Sequence, residues 1–167
     1  MATADITTDT DFDLYPQFVH NERFKTICKV IDFARSDSAG TSLGSADTHD
    51  IIALVTGEAW GDIDIRVLTD TVGGTSVQWQ ITTTGTGAAS TTLTGAVTTA
   101  NLTAGDSIRL NPRLVVTATG GDPEDFWVDG VNCTGSKLSI VNVGTYTAGK
   151  IAVLAEIENV QTLDDQA

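Results

Sequence analysis

The sequence has few cysteines, few prolines and few positive charges. Its 167 residues include 2 Cys, 3 Pro and 9 Lys+Arg against 22 Asp+Glu, for a formal net charge of −13. Two cysteines exclude a disulfide scaffold. The excess of negative charge argues against a nucleic-acid partner, because such a surface repels phosphate. No apolar run approaches the roughly 18–20 residues of a transmembrane helix, so we expect no membrane partner.

Threonine and glycine dominate what is present, with 27 Thr and 16 Gly. Threonine is β-branched and suits a pleated, half-exposed surface, and glycine supplies turns. The length corresponds to about one domain of roughly 100–200 residues. The N-terminus has neither the basic segment nor the apolar segment of a secretory signal, so we expect synthesis in the cytoplasm without export.

Alternation of apolar and polar residues predicts strands. Residues 76–82 (SVQWQIT) place Val77, Trp79 and Ile81 on one face, and residues 61–70 (GDIDIRVLTD) alternate in the same way. Period-two alternation is typical of a strand with one buried face. Trp79 therefore belongs to the predicted core.

Turn signals separate these short segments. Gly73-Gly74 predicts a hairpin, and further turns are expected at residues 120–125 and at Asp129-Gly130. Their spacing of about 8–12 residues is typical of antiparallel sandwiches and barrels. We therefore predict an all-β fold, an antiparallel β-sandwich that is jelly-roll-like or Ig-like, with an extended N-terminal arm.

Charge divides the chain into three parts. Residues 1–22 carry five acids and no base, and the last twelve residues carry four acids and no base, whereas the middle holds all nine bases. This predicts an acidic N-terminal arm (1–22), a β-sandwich domain (23–160) and a short acidic C-terminal tail (161–167). Aromatic residues within the arm indicate docking on a neighbour, and a solvated tail is the alternative. The candidate binding residues are Asp9, Asp11, Phe12, Asp13, Leu14, Tyr15 and Phe18.

Two sequence patterns imitate catalytic motifs. Residues 144–150 (GTYTAGK) match the start of a P-loop, but Ile151 stands where Ser or Thr would bind Mg²⁺, and an alternating strand follows instead of a helix. We predict a hairpin loop between the last two strands. Residues 40–44 (GTSLG) match the GxSxG pattern, but turn residues surround them in place of a strand and a helix. We predict no catalytic residue and no enzyme.

Carboxylates and histidines show no metal-site spacing. Asp62 and Asp64 lie on the same face of an alternating strand, where two carboxylates could share a Ca²⁺ or simply face solvent, and His20 and His49 are isolated. The acidic turn at residues 121–125 (GDPED) leaves a structural Ca²⁺ as an alternative, although it lacks the pattern of an EF-hand loop. We therefore predict no metal and no cofactor.

The overall layout resembles the head decoration (cement) proteins of tailed bacteriophages. A short acidic N-terminal segment precedes KTICKVIDFARSDSAGT, then ADTHDIIALVTGEAW and IDIRVLTDTVGGT follow, and GTYTAGKIAVLAEIENV comes near the end. This resemblance implies a non-enzymatic virion structural protein on the outer capsid surface. Such a protein clamps neighbouring major capsid subunits, often as a homotrimer and often with an N-terminal arm. Deletion of residues 1–18 is then expected to abolish capsid binding and leave the domain folded.

Exposed aromatic residues offer a second function. Trp60, Trp127 and Tyr146 lie near strand ends and could stack on sugar rings. The alternative is therefore a carbohydrate-binding module of a phage fibre, baseplate or head surface.

Overall fold

The structure is a computed structural model that describes residues 2–13, 18–19, 24–55, 58–82, 90–110 and 136–159. Within these ranges, two short 3₁₀ helices, Thr10–Phe12 and Thr99–Asn101, accompany eleven strands. The strands are β1 Thr3–Asp5, β2 Phe18–Val19, β3 Phe24–Asp32, β4 Thr48–Ala53, β5 Glu58–Gly73, β6 Ser76–Thr82, β7 Ser90–Thr92, β8 Val97–Thr98, β9 Ser107–Leu110, β10 Lys137–Val143 and β11 Tyr146–Asn159.

The strands form two sheets that pack against each other. Sheet A has the order β1-β4-β10-β6-β7, with β8 also paired to β6, and sheet B has the order β2-β3-β11-β5-β9. Only the β1–β4 pair among these is parallel. The prediction of an all-β antiparallel sandwich is confirmed.

The core lies between the sheets and follows the alternation of the sequence. From sheet A, Val77, Trp79 and Ile81 are buried, and from sheet B, Ile63 and Ile65 are buried in the same cluster. Each side chain of this size contributes roughly 1.5–3 kcal/mol when it leaves water. Trp79 is a core residue, as its position in the alternating pattern predicted.

The two glycine turns join different sheets, which corrects the prediction of hairpins. Gly73-Gly74 connects β5 of sheet B to β6 of sheet A, and the loop at residues 144–145 connects β10 of sheet A to β11 of sheet B. The two loops touch, because the Gly74 N–H donates to the Thr145 carbonyl at 2.7 Å. Glycine supplies the positive φ that a tight turn needs, but it does not determine whether the next strand pairs or crosses to the other sheet.

Residues 2–13, named here the N-terminal segment, are part of the sandwich. β1 runs parallel to β4, the chain then crosses between the sheets, and Asp13 forms a bridge with Lys29 on β3. Ala4, Ile6 and Phe12 are buried in the core. These apolar side chains leave water by packing between the two sheets, so residues 2–13 pack with the domain that was predicted to begin at residue 23. The predicted tail at residues 161–167 lies outside the described residues.

In the part of the chain that the structure describes, no helix has the length and apolar character that a membrane crossing requires.

Candidate functional site

The short 3₁₀ helix of the N-terminal segment fixes Phe12 in the core. The Asp9 side chain caps this helix by accepting from the Asp11 N–H at 3.2 Å. Phe12 is only 3% exposed, and the Arg35 guanidinium lies 5.0 Å from its ring centroid. An acidic cap at a helix start is favourable because it satisfies a free N–H group. Phe12, one of the candidate binding residues, therefore packs into the core of its own chain.

Lys29 interrupts the apolar inner face of β3 and is 4% exposed. Its ammonium donates to the Asp9 carbonyl at 2.7 Å and pairs with an Asp13 carboxylate oxygen at 2.6 Å. A buried charge is tolerated only when it is paired and hydrogen-bonded. The N-terminal segment therefore supplies both partners of Lys29, which binds the segment to sheet B.

An open space beside this segment is the main candidate site, and we name it the lateral cleft. It has a volume of about 320 Å³ and lies between β4 of sheet A and β3 of sheet B. Such a volume is at the lower end of the usual range for ligand sites, about 300–1,000 Å³. The lining residues are Thr7, Thr8, Thr10, Asp13, Lys25, Ile27, Lys29, Ile52, Ala53, Val55 and Glu58.

A second ion pair lines the lateral cleft. Lys25 on β3 pairs with Glu58 at the start of β5. The Glu58 carboxylate also accepts from the Val55 N–H at 2.9 Å, and Val55 itself is 62% exposed. The four charged side chains of the lining are thus mutually neutralised, and Ile27 and Ile52 form an apolar floor between them.

β4 continues beyond its pairing with β1 where it borders the lateral cleft. Pairing with β1 ends at Asp5↔Asp50, but β4 continues to Ala53. On that side, none of the described strands pairs with residues 51–53. Ile51 and Ile52 are nonetheless only 0% and 2% exposed, so this part of β4 is covered, and the lateral cleft combines a polar wall with an apolar floor.

The remaining residues of the predicted arm are placed as follows. Asp11 lies 3.9 Å from Arg35, with its side chain 75% exposed. Phe18 begins β2 and is paired with Thr26 of β3. Leu14 and Tyr15 lie outside the described residues.

The carboxylates considered for metal binding are engaged with cations. Asp62 pairs with Arg109 at 3.4 Å, and Asp64 pairs with Arg66 at 3.0 Å. Within the described ranges, no group of three or more His, Cys, Asp or Glu side chains is suited to hold a metal ion. The turn at residues 121–125 lies outside those ranges.

The GTSLG sequence lies in a loop whose Gly44 packs closely against two other backbone segments. Ser42 forms an isolated bridge with Ser36 in a loop. A Cβ atom on Gly44 would lie 2.1 Å from the Tyr146 carbonyl oxygen and 2.7 Å from that of Phe33. Glycine is therefore required at residue 44 by the close approach of two backbone segments.

Two of the three aromatic residues proposed to stack on sugars are buried. Trp60 is 4% exposed and its indole N–H donates to the Ser136 hydroxyl at 3.0 Å. Tyr146 is buried and stacks on Phe33 with 4.7 Å between ring centroids. These two residues therefore present no platform to a sugar, which corrects that part of the prediction. Trp127 lies outside the described residues.

His49, which is isolated along the sequence, lies in a buried polar group. Asn142 contacts the His49 ring, and its amide also donates to the Ala46 carbonyl at 3.2 Å. Burial lowers the pKa of His49 from 6.5 to about 4, although Asp50 opposes this effect. The imidazole is therefore neutral at pH 7 and acts as a core residue.

Comparisons with protein-family models, with curated proteins and with solved structures found no match to this chain.

Proposed function

We propose that this chain is a non-enzymatic virion structural protein that decorates a phage capsid and stabilises it by clamping neighbouring major capsid subunits. The layout of the sequence, the β-sandwich and the net charge of −13 support this function. An acidic surface complements a positively charged surface of a partner, and this complementarity increases the rate and specificity of association.

The observation that carries the proposal is the ordered acidic segment along one side of the sandwich. The N-terminal segment has four acids, Asp5, Asp9, Asp11 and Asp13, and no base. Strand pairing and the Lys29 contacts hold it in place. A preordered surface loses less conformational entropy on binding than a free arm does.

The packing of the N-terminal segment changes the expected binding element. Phe12 is not accessible to a capsid subunit, whereas the Asp11 carboxylate is. Deletion of residues 1–18 would remove β1 and core side chains, so it is a test of folding and not of binding. Leu14, Tyr15 and Phe18 remain candidates from the sequence alone.

Mass spectrometry of purified particles tests the function directly. We expect many copies of the chain per particle, in proportion to the major capsid protein. A few copies per particle would indicate a tail component, and absence from the particle would refute the proposal. Homotrimer formation and location on the outer surface belong to the same proposal and rest on the resemblance.

A charge reversal tests the binding side. Asp11→Lys is expected to weaken capsid binding about tenfold, since one favourable charge becomes repulsive at the interface. The matched control is Glu156→Lys, an exposed acid on the outer face of sheet B. Equal effects of the two variants would show that only net charge matters and that the N-terminal segment is not the contact.

A further inference from the structure

A series of hydrogen bonds links His49 to the start of β1. The Asn142 amide contacts Nε2 of His49 and donates to the Ala46 carbonyl at 3.2 Å. The Asn142 backbone N–H donates to the Asp47 carbonyl at 2.8 Å. Asp47 in turn holds Ala2, because its N–H donates to the Ala2 carbonyl at 2.9 Å and its carboxylate accepts from the Ala2 N–H at 3.0 Å. The His49 ring and the first strand are therefore parts of one network.

The Ala46 carbonyl determines which His49 nitrogen carries hydrogen. A carbonyl only accepts, so the NH₂ group of the Asn142 amide is the group that faces both Ala46 and His49. Nε2 of His49 must then accept, which leaves the hydrogen of the neutral ring on Nδ1. In the protonated ring Nε2 also carries hydrogen, and two donors face each other. Turning the amide over would place its oxygen against the Ala46 carbonyl oxygen, so no orientation satisfies both neighbours.

Apolar side chains surround the imidazole of His49, which is 0% exposed. Its partners across the strands are Ala4 of β1 and Ile140 of β10. Phe33 lies edge-on to it, with 5.7 Å between ring centroids, and stacks in turn on Tyr146, the titratable residue of β11 in this cluster. An imidazolium is unfavourable here, because moving a charge from water into apolar surroundings is costly.

The acids around His49 are bound to other groups. Asp50 is next in the chain, but its side chain lies on the opposite face of β4, where it accepts from Lys137 at 2.9 Å. Asp5 of β1 pairs with the same Lys137 at 3.5 Å, and the Asp47 carboxylate is occupied at the start of β1. Among the described residues, none of these carboxylates pairs with the ring, although Asp50 partly opposes the effect of burial on the His49 pKa.

We propose that the His49–Asn142 pair is an acid-sensitive latch for β1: the neutral ring holds the strand through Ala46 and Asp47, and protonation of the ring releases it. In the released state, water reaches the imidazolium while the two sheets stay folded. β1 is suited to local release because it has three residues and lies at the edge of sheet A, where it pairs with β4. The latch is a property of the chain alone and does not depend on the proposed capsid partner.

Hydrogen exchange of two backbone amides measures the release. The Ile6 N–H donates to the Asp50 carbonyl and the Asp47 N–H to the Ala2 carbonyl, each at 2.9 Å, so both exchange when β1 leaves. With a His49 pKa of about 4 in the closed state and 6.5 in water, the opening constant should rise about twentyfold from pH 7 to pH 5. Rates are first corrected for the pH dependence of exchange in an unstructured peptide. They should not change with urea below about 1 M, because a local opening exposes little surface, whereas Val153 of β11 should follow global unfolding.

Two variants separate the latch from other effects of acid. His49→Gln cannot take up a proton, so the rise between pH 7 and pH 5 is expected to disappear. Asp47→Asn is the matched control, because it removes a titrating carboxylate from the same network; β1 should open more readily at both pH values but keep the rise. No rise in the wild type, an equal rise in His49→Gln, or a rise that depends on urea would each overturn the proposal.

The position of the ring hydrogen is read on the wild-type chain, which makes this test independent of how stable the variants are. Long-range ¹H–¹⁵N correlation of the histidine rings at pH 7 should show hydrogen on Nδ1 of His49 and none on Nε2. Hydrogen on Nε2 would remove the opposition of donors at Asn142 and would overturn the proposal.

Discussion

Replacing Phe12 by alanine distinguishes a core residue from an arm anchor. Phe12 is 3% exposed, and removal of a buried phenylalanine ring costs about 3–5 kcal/mol. The Arg35 contact adds about 0.5 kcal/mol, because that guanidinium is half exposed. The expected loss is about 4 kcal/mol of unfolding free energy, a large part of the usual 5–15 kcal/mol. For a chain of this length, the melting temperature should fall by about 8–16 °C.

The measurement is urea unfolding of the full chain, followed by tryptophan fluorescence, together with a thermal melt. Thr10→Ala is the control, because Thr10 is exposed in the same 3₁₀ helix and should change stability by less than about 0.5 kcal/mol. A loss below about 1 kcal/mol for Phe12→Ala would show that the N-terminal segment is not part of the folded unit. A free N-terminal arm would then again be the expected capsid-binding element.

Three further predictions concern the core and the ion pairs. The folded pKa of His49, about 4, lies below the value of about 6.5 in an unfolded chain, so its contribution to stability is complete above about pH 6.5 and is lost as the pH falls to 4, by roughly 3 kcal/mol in all. Urea unfolding at several pH values should therefore show a flatter pH dependence of the unfolding free energy for His49→Gln than for the wild type. Parallel curves would contradict the assignment. Gly44→Ala should cost at least about 1–3 kcal/mol because its Cβ meets backbone oxygens, whereas Gly95→Ala, with open space around its Cβ, should be close to neutral in the same melt. Asp13→Asn should lower the unfolding free energy more than Lys29→Met does, by about 1 kcal/mol or more. Asp13→Asn leaves the buried Lys29 ammonium without its counter-ion, whereas Lys29→Met leaves the Asp13 carboxylate near water. The reverse order in urea unfolding would refute this assignment.

Local patterns were sufficient for the strands and for much of the core. The alternation in residues 76–82 correctly placed Trp79 inside, because side chains of a strand alternate between its two faces. Lys29 interrupts the inner face of β3, and no local pattern indicates the partners of its ammonium. Asp9 and Asp13 are distant along the chain, and only the crossing of the N-terminal segment brings them to Lys29.

The lateral cleft was not predicted from the sequence, although Asp13, one of the candidate binding residues of the arm, lines it. The cleft itself also needs Lys25, Ile52 and Glu58 from three different strands, and no local pattern relates them. Trp60 shows the opposite case, because its position at a strand end indicated exposure, whereas the distant Ser136 hydroxyl satisfies its N–H within the fold.

The sequence by itself determined the fold class, the strand segments and the acidic ends, because composition, period-two alternation and charge are properties of neighbouring residues. Only the tertiary structure decided which sheet each strand joins. It also decided that the N-terminal segment pairs with β4 of sheet A and contacts β3 of sheet B. The physical reason is that glycine turns permit both hairpins and crossings, and the choice depends on where apolar faces from distant segments are buried together. The lateral cleft between β3 and β4 follows from that choice.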